Sequence, residues 1–259
     1  QRVIRMSQKN QSLLMKAQKI NITDSAVFIS DLHLHDNAQN TVFLNFLKHS
    51  SDLTNNLFIL GDLFDYWVGD DARMYSKELK ALKELGKQKS IYFIHGNRDF
   101  LITKKYFKEN HITILNDETR ISLGHHQVLL MHGDTLCSDD LDYQDFRKQV
   151  RSKVWQDNFL AKELDKRISI AQDLREQSKK LNLNKPENIT DVNETTINSI
   201  IEKNLPVEIL IHGHTHRQNT HQYNDRNKFT RFVLGDWSDN QGSYLIWKEK
   251  QGFEFRTFN

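Results

Sequence analysis

The run SIYFIHGNRD, residues 90–99, begins as a strand and ends as a site. Ile91, Tyr92, Phe93 and Ile94 are the β-branched and aromatic types that suit a pleated, buried surface. The run then reaches Gly96, where the backbone can turn sharply and approach other groups closely. It finishes by presenting Asn97, Arg98 and Asp99 together. Four other stretches close in the same manner. Val27-Phe28-Ile29 leads into Ser30-Asp31-Leu32-His33, and Phe58-Ile59-Leu60 into Gly61-Asp62. Leu129-Leu130-Met131 leads into His132-Gly133-Asp134, and Ile209-Leu210-Ile211 into His212-Gly213-His214-Thr215-His216. Short continuous apolar runs of this kind predict strands buried on both faces. In α/β sheets, ligands bind beyond the carboxyl ends of strands, and all five runs put oxygen or nitrogen donors there.

Working outward, helix-like stretches over 40–50 and 75–87 separate the first three runs. "RFVLGDW" and "GSYLIWK" add strands near the end. The order is βαβαβ followed by a mostly β half, which predicts a layered α/β protein. Residues 139–185 differ. They contain no Gly or Pro, and Phe146, Val150, Phe159, Leu160, Leu164, Ile168, Ala171, Leu174 and Leu181 recur at helical spacing. Pro186 disfavours helix at Lys185, so the segment is expected to stop there. Its place between two strand motifs points to an inserted helical cap, although two ordinary surface helices of the core would show the same spacing. The expected organisation is a polar extension over 1–24, a core over 25–138 and 186–259, and the cap over 139–185.

Composition bounds the function. A net charge of +2 over 259 residues is too near neutral for a dedicated nucleic-acid binder. Cys137 is the one cysteine, so no intrachain disulfide forms. No apolar run approaches the ~18 residues of a spanning helix, and no secretory signal is visible. These readings lead to the expectation of a cytoplasmic protein that touches a membrane surface without crossing it.

The donors at the strand ends suit two metals. Asp and Asn offer oxygen, His offers imidazole, and no thiolate takes part, which favours a Mn-, Fe- or Zn-type site over a structural zinc site. Asp31 and His33 are two residues apart and would face the same way in extended backbone; His214 and His216 repeat the spacing. Two cations roughly 3.5–4 Å apart would hold an attacking water and a phosphoryl oxygen together. His212 stands in the same run but alternates with His214 only across a glycine, and its role is left open.

D-x-H, G-D, G-N-x-D, H-G-D and G-H-x-H, in this order, resemble the calcineurin-like metallophosphoesterase superfamily. The resemblance implies an α/β fold, a four-layer α-β-β-α sandwich around a dinuclear centre. It implies one metal held by Asp31, His33, Asp62 and His216, and another by Asp62, Asn97, His132 and His214, with Asp62 bridging. Two divalent ions are implied, Mn²⁺ being the expected one. Longer strings, among them "GDLFDYWVGDD", "MHGDTLCSDDLDYQDFR" and "RISIAQDLREQSKK", are similar to the family of UDP-2,3-diacylglucosamine pyrophosphohydrolases of the lipid A pathway. The likeness covers about residues 26 to 247; Gln218, where that family usually has proline, and the 1–24 extension depart from it.

That family cleaves the pyrophosphate of its UDP-lipid by water attack on the α-phosphorus. It works at the cytoplasmic face of the bacterial inner membrane as a peripheral protein. The resemblance implies catalytic roles for Asp62, Asn97, Arg98 and His132. It implies substrate contacts from Asn97, Arg98, Asp140, Tyr143, Arg175, Ser178, Asn182, Lys185 and His214. Arg175, Ser178 and Asn182 are spaced i, i+3, i+7, so one helix face would carry them. No nucleic acid and no obligate protein partner is expected.

Arg98 refines the chemistry. Many superfamily members resemble G-N-H here, and that histidine can protonate a leaving oxygen. A guanidinium stays protonated but binds phosphate through a planar fork. An enzyme without an acid at this position suits a leaving group that needs no proton, such as a phosphate leaving from a pyrophosphate. A structural ion pair with Asp99 is the alternative.

Overall fold

The computed structural model describes residues 20–224 and 228–259; most of the N-terminal extension, residues 1–19, lies outside the described residues. The elements run β1 (Asn21–Ile22), β2 (Ser25–Ile29), α1 (Thr41–Leu53), β3 (Asn56–Ile59), α2 (Ser76–Gly86), β4 (Ser90–Phe93), α3 (Lys104–Glu109), β5 (Ile112–Ile114), β6 (Thr119–Leu123) and β7 (His126–Leu130). They continue through α4 (Leu141–Val150), α5 (Lys153–Leu160), α6 (Leu164–Asn184), α7 (Glu187–Thr190), α8 (Glu194–Lys203), β8 (Ile209–His212), β9 (Asn219–Tyr223), β10 (Phe229–Val233), β11 (Gly242–Lys248) and β12 (Gly252–Phe258). One six-stranded sheet has the order β1-β6-β7-β8-β10-β9, and the other β12-β11-β2-β3-β4-β5.

The two sheets face each other, and the period-2 alternation of each strand divides its side chains between layers. Phe28, Phe58, Leu130 and Ile211 enter one buried cluster that contains residues from both sheets. Val27, Ile29, Leu57 and Ile59 point the other way, onto Phe43, Phe46, Leu79 and Leu82 of α1 and α2. Leu129 and Leu210 pack on Ile197 and Ile201 of α8. This is a four-layer α-β-β-α sandwich, and it explains why the strands read as unbroken apolar runs. Across the second sheet, Phe28 pairs with Phe58 and Phe58 with Tyr92 in register. Their rings stack at centroid spacings of 5.0 and 4.6 Å.

Three features go beyond the sequence reading. Residues 20–24 are not part of a free extension: β1 pairs in parallel with β6, and Ile20 and Ile22 are buried between the sheets. The helical stretch over 139–185 divides into α4, α5 and α6. Ser152 caps α5 by accepting a hydrogen bond from the Trp155 N–H, so a capping side chain breaks the pattern where no Gly or Pro signals it. The apolar residues of this stretch also divide. Val150 and Phe159 are buried, whereas Leu181 is 60% exposed. Pro186 ends α6 as expected and precedes the short α7. Among the described residues no helix is long and apolar enough to cross a membrane.

Candidate metal centre

The five strand ends β2, β3, β4, β7 and β8 come from both sheets and meet at one edge of the sandwich. Their loops are tied to one another by backbone hydrogen bonds. Asp31 N–H donates to Gly61 O (3.1 Å), His33 N–H to Asp62 O (3.0 Å), and Gly213 N–H to His132 O (2.8 Å). Gly96 is needed for closeness: a Cβ there would collide with the carboxylate and backbone of Asp62.

The extended alternation expected for Asp31/His33 and His214/His216 is not what brings these residues together. Asp31, His33, Asp62, His214 and His216 all adopt positive φ, between 48° and 69°. Left-handed backbone is costly for residues with a Cβ and recurs at functional sites. Here it curls each loop back over the strand ends, so that the donors converge.

Two groups of donors lie within 4.8 Å of one another: Asp31, His33 and His216; and Asp31, Asp62 and His132. His33 Nε2 faces His216 Nε2 at 3.2 Å. Asn97 Oδ1 faces His132 Nε2 at 2.9 Å and His214 Nδ1 at 3.0 Å. Asp62 stands between the two sides, its Oδ2 3.9 Å from His33 and its Oδ1 3.8 Å from His132. Asp31, rather than Asp62, is common to both groups, and the two carboxylates together occupy the middle of the cluster. The seven predicted metal ligands are therefore gathered in one place. His212 is not among them: its Nε2 faces an Arg231 guanidinium nitrogen at 3.2 Å, and its Nδ1 approaches Gly213 O.

The donor set fits divalent cations. Asp31 Oδ1 and His33 Nδ1 are buried without a hydrogen-bond partner among the described residues, and buried polar atoms normally have one. The titration of the cluster points the same way. Burial opposes ionisation of Asp31, but His216, His132 and His33 outweigh it and hold the carboxyl well below its usual range. Burial would lower His132, yet the charges of Asp62, Asp31 and Asp134 push it up to about 8. His216, also opposed by burial, is raised to about 10 by Asp236 and Asp31. Burial and Arg98 bring His33 down to about 3, and burial and His132 bring His214 down to about 4. Protons on His132 and His216 thus balance the carboxylates, a task that bound cations would take over.

Arg98 is fixed beside this cluster. Its Nε lies 3.4 Å from Asp62 Oδ2, and one terminal nitrogen donates to Asp65 (3.1 Å). The alternative pairing with Asp99 is not observed. Asp99 is fully buried and accepts the N–H groups of Leu63 and Gly96, each at 2.8 Å, so it fastens two ligand loops together.

The predicted substrate residues are partly engaged with one another. Lys185 Nζ donates to both oxygens of Asp140, at 2.7 and 2.6 Å. Arg175 pairs with Asp65, which Arg98 also holds. Tyr143 lies with its ring 5.8 Å from that of His214, while its hydroxyl donates to Asp134 (2.7 Å). Ser178 is exposed on α6, and the side chain of Asn182 lies outside the described residues.

The sequence reading assigned no role to several residues of this region. Asp134 receives Arg147 Nε at 2.6 Å as well as Tyr143, and Arg151 donates to Gly96 O at 2.8 Å. These bonds fasten α4 of the cap to the ligand loops. Asp236 lies 3.5 Å from His216 Nδ1. Its signal was present, since "RFVLGD" ends a strand on Gly-Asp as "LFILGD" does.

Comparison with known proteins follows the same lines. The model of the calcineurin-like phosphoesterase family matches residues 25–218. The chain is 41% identical over 235 residues to a Haemophilus influenzae (strain PittGG) protein named UDP-2,3-diacylglucosamine hydrolase, covering 88% of this chain and 97% of that one. It is 42% identical over 233 residues to a Haemophilus ducreyi protein of the same name, with 88% and 97% covered. A Proteus mirabilis protein, also so named, is 41% identical over 233 residues, with 86% and 95% covered. With its sandwich, its converging strand ends and this extent of similarity, the chain belongs to the calcineurin-like phosphoesterase family.

Proposed function

We propose that this metal-dependent hydrolase cleaves the pyrophosphate of UDP-2,3-diacylglucosamine, by water attack on the α-phosphorus, to UMP and 2,3-diacylglucosamine 1-phosphate, a step of lipid A biosynthesis. The observation that carries the reading is Arg98, held by Asp62 and Asp65 against the donor cluster, in a chain whose relatives bear the name of that hydrolase. Asp31, His33, Asp62 and His216 would hold one divalent cation, and Asp62, Asn97, His132 and His214 the other, with Mn²⁺ the preferred ion. When bound, such a pair supplies Lewis-acid polarisation of the phosphoryl oxygens and a nucleophile at neutral pH.

The chain's own groups do the rest. Arg98 offers donors to the phosphoryl oxygens and cannot release a proton. The departing sugar phosphate needs none, whereas an alkoxide would. Asn97 and His132, linked by their contact, orient the same phosphoryl group. Asp140, Tyr143, Arg175, Ser178 and Lys185 would contact the substrate from the cap, which receives the sugar and acyl chains, and the sequence resemblance adds Asn182 to them. Leu141, Phe146, Val154, Leu160 and Leu181 of the cap helices remain exposed, which suits a peripheral position on the cytoplasmic face of the inner membrane, where the lipid resides.

The test is hydrolysis of UDP-2,3-diacylglucosamine by the metal-loaded protein in ¹⁸O-water. The label is expected in UMP. Label in the lipid phosphate would move the attack to the β-phosphorus, and no cleavage would overturn the proposal.

A further inference from the structure

The donor cluster has two flanks. On one, Tyr143 of the cap faces His214. On the other, a cavity of about 550 Å³ opens beside His33, between residues 32–43 and 237–239. Its size falls in the range of small-ligand sites, roughly 300–1,000 Å³. Trp237 forms part of its wall and is anchored firmly. The backbone N–H of Trp237 donates to Asp31 O at 3.2 Å, and its ring packs edge-on with those of Phe43 and Phe46 at centroid distances of 6.4 and 5.0 Å. The indole Nε1 is buried with no hydrogen-bond partner among the described residues.

The lining selects among the parts of a substrate whose phosphate sits on the cluster. It contains no Lys or Arg, so it is not built for a second anion; the guanidinium groups of Arg98 and Arg175 gather instead around Asp65. Beside apolar Leu34, Val42 and Phe43 it carries the polar groups of Gln39, Ser238 and Asp239, from which an acyl chain would strip water with no return. A flat group with hydrogen-bonding edges and a sugar diol fits an aromatic wall flanked by amide and carboxylate groups. We infer that this cavity binds the nucleoside half of the substrate, base and ribose, so that the cap receives only the other half. The inference rests on the pyrophosphate reading given above and adds a direction to it: the substrate lies across the cluster from the His33 flank to the His214 flank.

Photolabelling of the metal-loaded protein with 5-azido-UMP, followed by peptide mapping, tests the assignment. The expected label falls within 32–43 or 237–239 and is competed by UMP. Thr41→Trp, at the cavity rim, or Gln39→Trp if the first variant does not fold, is expected to abolish labelling and to weaken inhibition by UMP about tenfold or more. Metal content and melting temperature should stay as in the parent. Label in α4–α6, no label at all, or unchanged UMP inhibition in a folded variant would overturn the inference. Hydrolysis of the UDP-lipid is measured on the same preparation. If it persists while the label maps to the cap, only the cavity assignment falls; if it is absent, the pyrophosphate reading itself falls.

Discussion

Asp31 and His132 expose no surface, whereas Leu141 and Val154 in the cap are each 71% exposed. The two regions touch, with Tyr143 against His214, but are stabilised differently. The donor cluster buries charged groups at strand ends, keeps several residues in left-handed backbone, and has loops fastened by Asp99 and by hydrogen bonds between loops. A lost partner there leaves a buried charge uncompensated, which costs stability. The cap leaves several apolar side chains on a surface, and it is held to the core both by apolar packing, with Phe159 in the core cluster and Trp155, Leu164 and Ile168 against it, and by polar ties, Arg147 to Asp134 and Arg151 to Gly96 O among them. The contrast teaches where each property of such an enzyme resides. On the function proposed above, chemistry would reside in the buried cluster and selectivity in the cap.

Four measurements press on this contrast. The largest effect is expected from Asp62→Ala, which should lower turnover by roughly three orders of magnitude or more while the protein remains folded, because a carboxylate central to both sides is removed. Near-parental turnover with two metals bound would end the bridging role of Asp62.

Metal uptake should depend steeply on pH. Without metal, His132 (about 8) and His216 (about 10) are protonated at neutral pH, and a ligating imidazole must be neutral. Binding at pH 7 is therefore expected to release protons. Affinity should rise as pH rises, by about tenfold per proton per pH unit below each value, and the dependence should soften above about 8 when His132 is already neutral. Titration calorimetry in buffers of different ionisation enthalpy reads the proton count directly. Uptake without proton release would show that these two imidazoles are not displaced from their protons.

Arg98→His is the third. It removes the planar fork and supplies an acid that a departing phosphate does not use, so the rate on the UDP-lipid should fall roughly 50-fold. The rate on an aryl phosphodiester serves as the comparison. An intact UDP-lipid rate would return position 98 to a structural role.

The smallest effect concerns the cap. Leu174 and Leu181 are seven residues apart on α6, hence on one face. Replacing both with Gln should reduce the preference for diacylated over non-acylated UDP-sugar about tenfold, less than full burial of two leucines would give. Metal content should not change. Equal efficiency of the parent enzyme on the two substrates would remove the lipid-binding role of the cap and erase the division drawn above.

Much of this was legible because it is local. Apolar runs that stop on Gly-Asp, Gly-Asn or His-Gly mark strands and donors within a few residues, and all seven predicted ligands do converge. Local pattern did not give the backbone that achieves this. Asp31-x-His33 invited an extended reading, and the left-handed turns that replace it follow from how loops of two different sheets meet. Nor did it show that Ser152 would start a new helix inside an unbroken apolar rhythm.

The sequence by itself determined the layers, the donor types and their order along the chain, since side-chain period and residue chemistry are properties of short segments. Only the tertiary structure decided the partners. His212 turns to Arg231 across 19 residues, Lys185 meets Asp140 across 45, and a cavity forms where residues 32–43 lie beside Trp237. These outcomes depend on how two sheets pack and where their loops cross. That is a balance of burial and hydrogen bonding between distant segments, and no single segment encodes it.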